Sequence, residues 1–123
     1  MFIKDIFFVI TLICTIFIVK DSYASPKFVP GINGLPLMAG LVLMPDSHVV
    51  FDTLDGRIIE VLADGRIHRH DILTFYKDTL PQLGWKSNSK NEYERDGELL
   101  KIRISLDKMS KTIVRFFIIS LAK

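Results

Sequence analysis

Only one stretch of this chain repeats its apolar side chains at helical spacing: Arg66 to Lys86, RIHRHDILTFYKDTLPQLGWK. Ile72, Phe75, Tyr76 and Leu83 recur every three to four residues, and Leu73 and Leu80 widen the stripe. Gly84 stands where a helix closes with a left-handed residue, and Pro81 should kink the helix or end its regular part near Leu80. His68 is a poor N-cap, although Asp71 complements the dipole of the first turn. The segments on either side read as strand, turn or extended arm. A lone amphipathic helix buries its stripe only against a sheet, which restricts the chain to a two-layer α+β domain.

The chain opens with a short charged segment, then an uncharged run from Ile6 to Val19, then Lys20-Asp-Ser22-Tyr-Ala24-Ser25. An apolar run of that length with small residues at Ser22 and Ala24 predicts a secretory signal peptide, residues 1–24, cleaved between Ala24 and Ser25. The alternative is an uncleaved inner-membrane anchor over residues 2–19, although the run falls short of the ~20 residues that span a bilayer. Cys14, the only cysteine, lies inside the apolar run rather than at its end, so a lipid anchor is not expected. Cleavage would leave a mature chain held together by packing alone, without disulfides.

Formal charge is +2 over 123 residues, with the basic excess in residues 85–123. That is far short of a nucleic-acid footprint, and no nucleic-acid partner is expected.

Residues 25–46, SPKFVPGINGLPLMAGLVLMPD, carry four of the five prolines yet are too apolar to stay in water. They are expected to form an extended arm lying against the domain of residues 47–123. Val49 to Phe51 and Arg57 to Ala63 read as two strands, with Ile59 and Val61 on the face opposite Ile58, Glu60 and Leu62. Asp-Gly occurs at Asp55-Gly56, Asp64-Gly65 and Asp96-Gly97, and each pair supplies turn chemistry. Beyond the helix, Ser87 to Asn91 reads as a polar loop, and Glu92 to Arg95 with Glu98 to Leu106 as a hairpin. Leu100, Ile102, Ile104 and Leu106 share one face of its second arm.

The last strand, Thr112 to Leu121, places Val114, Phe116 and Ile118 on one side and Ile113, Arg115, Phe117, Ile119 and Leu121 on the other. A strand apolar on both sides is central, or covered by the arm or by a partner, with the arm as the simplest cover. The sum is ββαβββ: an antiparallel sheet of about five strands with one helix packed on one face.

Catalytic motifs are missing. No Gly-x-Ser-x-Gly elbow, HExxH pair or phosphate loop occurs, and the serines fall in loops, on a strand face or at termini. His68 and His70 diverge at a helix start and lack a third spaced ligand, so no metal site is expected. No cofactor or catalytic residue is assigned. Lys101, Arg103, Lys108, Lys111 and Arg115 read as a solvated basic face.

The run Phe75-Tyr76…Leu80-Pro81-Gln82-Leu83-Gly84-Trp85, with Gly34-Leu-Pro36-Leu and Gly56-Arg57-Ile58 upstream, resembles a family of small exported bacterial α+β proteins. The resemblance covers nearly the whole mature chain and implies no reaction. The expectation is a non-enzymatic periplasmic or secreted module that binds an envelope protein or self-associates, with Ile113, Phe117 and Ile119 as the partner surface. The alternative is a small-ligand or lipid binder with its pocket between the helix face (Phe75, Tyr76, Leu83) and the sheet. Contact with the membrane is expected only through an uncleaved anchor.

Overall fold

The computed structural model describes residues 27–121, so the expected signal peptide of residues 1–24 and its expected cleavage site at Ala24 and Ser25 lie outside the described residues. Seven strands form one antiparallel sheet: β1 Val42–Leu43, β2 Val49–Thr53, β3 Gly56–Gly65, β4 Lys86–Ser89, β5 Glu92–Arg95, β6 Glu98–Leu106 and β7 Thr112–Leu121. The single α-helix among the described residues, α1, spans Arg69–Thr79. The sheet order is β1-β3-β7-β6-β5-β4, and β2 pairs with β3 beyond β1 along the same side. α+β with one helix and an antiparallel sheet holds. Two strands exceed the expected number.

The extra strands have local causes. β1 is the tail of the arm, captured when Val42 and Leu43 align with Asp64 and Ala63. β4 is the stretch expected to be a loop: Lys-Ser-Asn-Ser has no apolar alternation, and its strand character comes only from pairing with β5. β7 is central, as its two apolar faces require. It pairs with β3 from Gly56↔Leu121 to Gly65↔Thr112, and with β6 from Glu98↔Ser120 to Leu106↔Thr112.

The helix starts after His68, which is extended and makes no side-chain cap bond; Asp71 is the acidic residue of the first turn. Pro81 has no N–H to continue the ladder, and the α-helix gives way to a 3₁₀ turn over Leu80–Leu83. Gly84 closes it at φ 88°, with its N–H donating to Pro81 O and the Trp85 N–H donating to Leu80 O at 3.1 Å. The tighter turn changes the phase of the stripe, so Leu80 is fully buried while Leu83 emerges at the surface.

Ile59, Val61, Ala63, Leu100, Ile102, Val114, Phe116 and Ile118 form the sheet's side of the core. Ile72, Tyr76 and Leu80 cover them from the helix, and the Tyr76 ring meets Phe116 edge-on at 5.5 Å. The arm completes this same layer. Val29, Ile32, Leu35, Leu37 and Leu41 are buried in the core, each contributing about 1.5–3 kcal/mol if fully removed from water. Tyr76 Oη donates to Pro36 O at 2.9 Å and accepts from Met38 N–H at 3.3 Å, fixing arm to helix. Arg95 donates to Asn33 O (2.7 Å) and Leu83 O (3.0 Å) while its guanidinium sits 4.3 Å over the Trp85 ring.

This placement corrects the expected cover for β7. The arm packs beside the helix, on the face that carries Phe116, and not over the face that carries Phe117. Its apolar residues complete the helix layer because one helix of eleven residues is too narrow for a sheet this wide.

A second correction concerns Asp64-Gly65, which ends β3 as regular strand, paired with Ile113 and Thr112, instead of making a turn. A Cβ on Gly65 would lie 2.6 Å from Gly40 O. The glycine is there for close approach of the arm's backbone. At Asp96-Gly97 both residues have positive φ, 49° and 77°, as a tight hairpin turn requires.

Candidate functional site

Antiparallel register fixes which side chains share the second face of the sheet. Directly paired residues point the same way, so the face can be read row by row across the strands. One row runs Phe51, Ile58, Ile119, Leu99, Glu94. The next runs Val49, Glu60, Phe117, Lys101, Glu92, followed by Leu62, Arg115, Arg103 and then Val42, Asp64, Ile113, Ser105. Ile113, Phe117 and Ile119 all lie on this face. Arg115 separates Ile113 from the other two, so the surface has a main apolar patch around Phe117 and Ile119 and a smaller one around Ile113.

The main patch gathers residues from four strands. Ile58, Leu99, Phe117 and Ile119 are partly exposed, while Phe51 and Leu121 keep 54% and 65% of their surface in water. Among the described residues no helix or loop packs over them, since the helix and arm both contribute to the opposite face. Phe51, Ile58 and Leu99 belong to the patch although the sequence offers them only as strand residues. Alternation puts Ile58 away from Ile59, but which strands flank β7 follows from long-range pairing alone.

Charge on this face is balanced locally. Arg115 Nε lies 3.3 Å from Glu60 Oε1, Lys101 Nζ 3.6 Å from Glu92 Oε1, and Lys111 Nζ 3.4 Å from Asp64 Oδ1. Each pair is partly exposed and adds at most about 1 kcal/mol. Their larger effect is on the field: three of the five cations in the C-terminal strands are compensated in place. Arg103 stands directly opposite Arg115 and makes no ion pair among the described residues. The patch is therefore apolar with a mixed-charge border, unlike a continuous basic field.

The other side of the sheet is filled. Tyr76 and Ile72 have no exposed surface and Phe75 packs against the core, while Leu83 is exposed beside the Gly84 turn. Burial pushes the Tyr76 hydroxyl pKa far up, only partly offset by the hydrogen bond from Met38; burial also raises Tyr93. An open groove of about 680 Å³ lies at the helix start, lined by Arg66, His68, Arg69, Ile104, Leu106 and Thr112. His68 reaches it and His70 does not. No three His, Cys, Asp or Glu side chains converge to hold a metal among the described residues. Ser47 Oγ donates to Met44 O at 2.8 Å and accepts from the Leu62 N–H, bridging the break between β1 and β2. No described helix is long and apolar enough to cross a membrane.

The chain matches no family model, no curated protein and no solved structure. Its own geometry carries the functional reading.

Proposed function

We propose that the protein is a non-enzymatic exported module that binds a protein partner in the bacterial cell envelope through the second face of its sheet. The observation that carries this reading is the apolar patch of Phe51, Ile58, Leu99, Phe117 and Ile119, which nothing among the described residues covers while helix and arm crowd the other face. A patch that joins four strands in register is larger than the scattered single apolar residues of ordinary surfaces. Its border of paired charges, Glu60–Arg115 and Glu92–Lys101, suits the polar rim of a protein interface better than the uniform positive field that draws a chain onto anionic lipid.

Phe117 sits at the centre of β7 and contributes nothing to the buried core, so its replacement separates binding from folding. Phe117→Gln should leave the melting temperature nearly unchanged and abolish co-purification of the envelope partner. Thr74→Gln, on the exposed side of the helix, should leave co-purification intact. Equal partner recovery with Phe117→Gln and with the unaltered chain would refute the proposal.

A further inference from the structure

The two edges of the sheet differ in kind. At one edge β4 reads Lys86-Ser-Asn-Ser, with Lys90 following, the polar and charged composition that discourages strand addition. At the other, β2 reads Val49-Val-Phe-Asp-Thr53 and every residue is exposed: Val50 at 46%, Phe51 at 54%, and Leu54 at the hairpin tip at 100%. Neither lysine nor proline guards it.

The phase of β2's hydrogen bonds follows from its turn. Thr53 pairs with Gly56 across the two residues Leu54 and Asp55, and a pair that closes so short a loop must exchange its own N–H and C=O bonds. Alternation then turns the backbone groups of Phe51 and Val49 into β3. Those of Val50 and Asp52, and of His48 just before the strand, point out of the sheet. Among the described residues they meet no backbone partner.

We infer that two copies of this chain join edge to edge through β2, antiparallel, with Val50 on the two-fold axis. This register is selected by three features. It sets outward-pointing residues against outward-pointing residues, Val50 opposite Val50 and His48 opposite Asp52 in both directions, so all three on each strand find partners. Shifting the axis to Val49 or Phe51 uses only two. The imidazole of His48 meets the carboxylate of Asp52, which already holds Arg57 at 2.8 Å, so the ends of the new ladder carry complementary groups. Val49 meets Phe51, a β-branched and aromatic pair of the kind that stabilises neighbouring strands. A second copy satisfies these pairings by symmetry, as an isologous interface requires. The joined sheets would merge the two open faces, with Val49 and Phe51 at the seam. The inference goes beyond the partner reading and does not depend on it.

Sedimentation of the protein, as processed by its exporting host, should give twice the chain mass. Val50→Pro should halve that mass without unfolding the chain, because the N–H it removes points away from β3 and proline is tolerated at such edges. Val50→Lys, monitored with far-UV circular dichroism, checks the same point by charge. In a Cys14→Ser background, Val50→Cys should form a disulfide-linked dimer, since facing residues lie about 5.5 Å apart at Cα. Phe51→Cys should not, because the diagonal separation is roughly 7–8 Å. A monomer at all concentrations, a dimer that survives Val50→Pro, or cross-linking at Phe51 instead of Val50 would each overturn the inference. None of these results bears on Phe117→Gln, so the edge and the face fail separately.

Discussion

Tyr76 joins the three parts of the core at a single side chain. Its ring packs on Phe116 of β7, and its hydroxyl bonds two backbone groups of the arm, Pro36 O and Met38 N–H. Tyr76→Phe leaves both groups, which are part-buried, without that partner and should cost about 1–3 kcal/mol in urea unfolding. The same burial makes stability depend on alkaline pH. The folded hydroxyl titrates well above the unfolded one, so its stabilising effect is complete below about pH 10 and falls as pH rises toward the folded value. Stability should drop by up to about 1.4 kcal/mol per pH unit above pH 10, and Tyr76→Phe should flatten that slope. The slope that remains belongs in part to Tyr93, shifted in the same direction. At this scale the sequence misleads where one dipeptide serves two purposes. Asp96-Gly97 and Asp64-Gly65 look alike, yet the first makes a turn and the second admits the backbone of Gly40, a neighbour twenty-five positions away that local pattern cannot announce.

Elements divide by whether their signal is local. Helix α1 was legible because its period, Pro81 and Gly84 all act within the segment. The alternation of β6 and β7 assigned their buried faces correctly, although Leu106 at the hairpin end runs past the core and is exposed. β4 was illegible because nothing in Lys-Ser-Asn-Ser prefers a strand; Tyr93 and Glu94 across the hairpin impose it. The arm was legible as buried from its leucines, but its side of the sheet was not, since that depends on the width left free beside the helix. Its role as core gives a plain expectation. Leu35→Ala should destabilise the protein by about 2–5 kcal/mol in chemical unfolding, as for any buried leucine. An arm that merely leaned on the surface would lose far less.

On the scale of the described residues, one layer of helix and arm covers one side of the sheet and nothing covers the other. Helix and arm together cover the face bearing Phe116, and Phe117 and its neighbours on the other face stay partly exposed. Ile113, Phe117 and Ile119 were visible in the sequence as surplus apolar side chains on the last strand. Their assembly with Ile58, Leu99 and Phe51 was not, because it depends on β7 lying between β3 and β6. Edge and face would then serve different ends, β2 joining copies and the open face receiving a partner. The most direct test places a photoreactive side chain at Phe117 or Ile119 in cells that produce the protein, with Thr74 on the outer side of the helix as the comparison. One discrete cross-linked species of constant mass is expected from both sheet positions and none from Thr74. Cross-linking as strong from Thr74, or none from either sheet position, would contradict it.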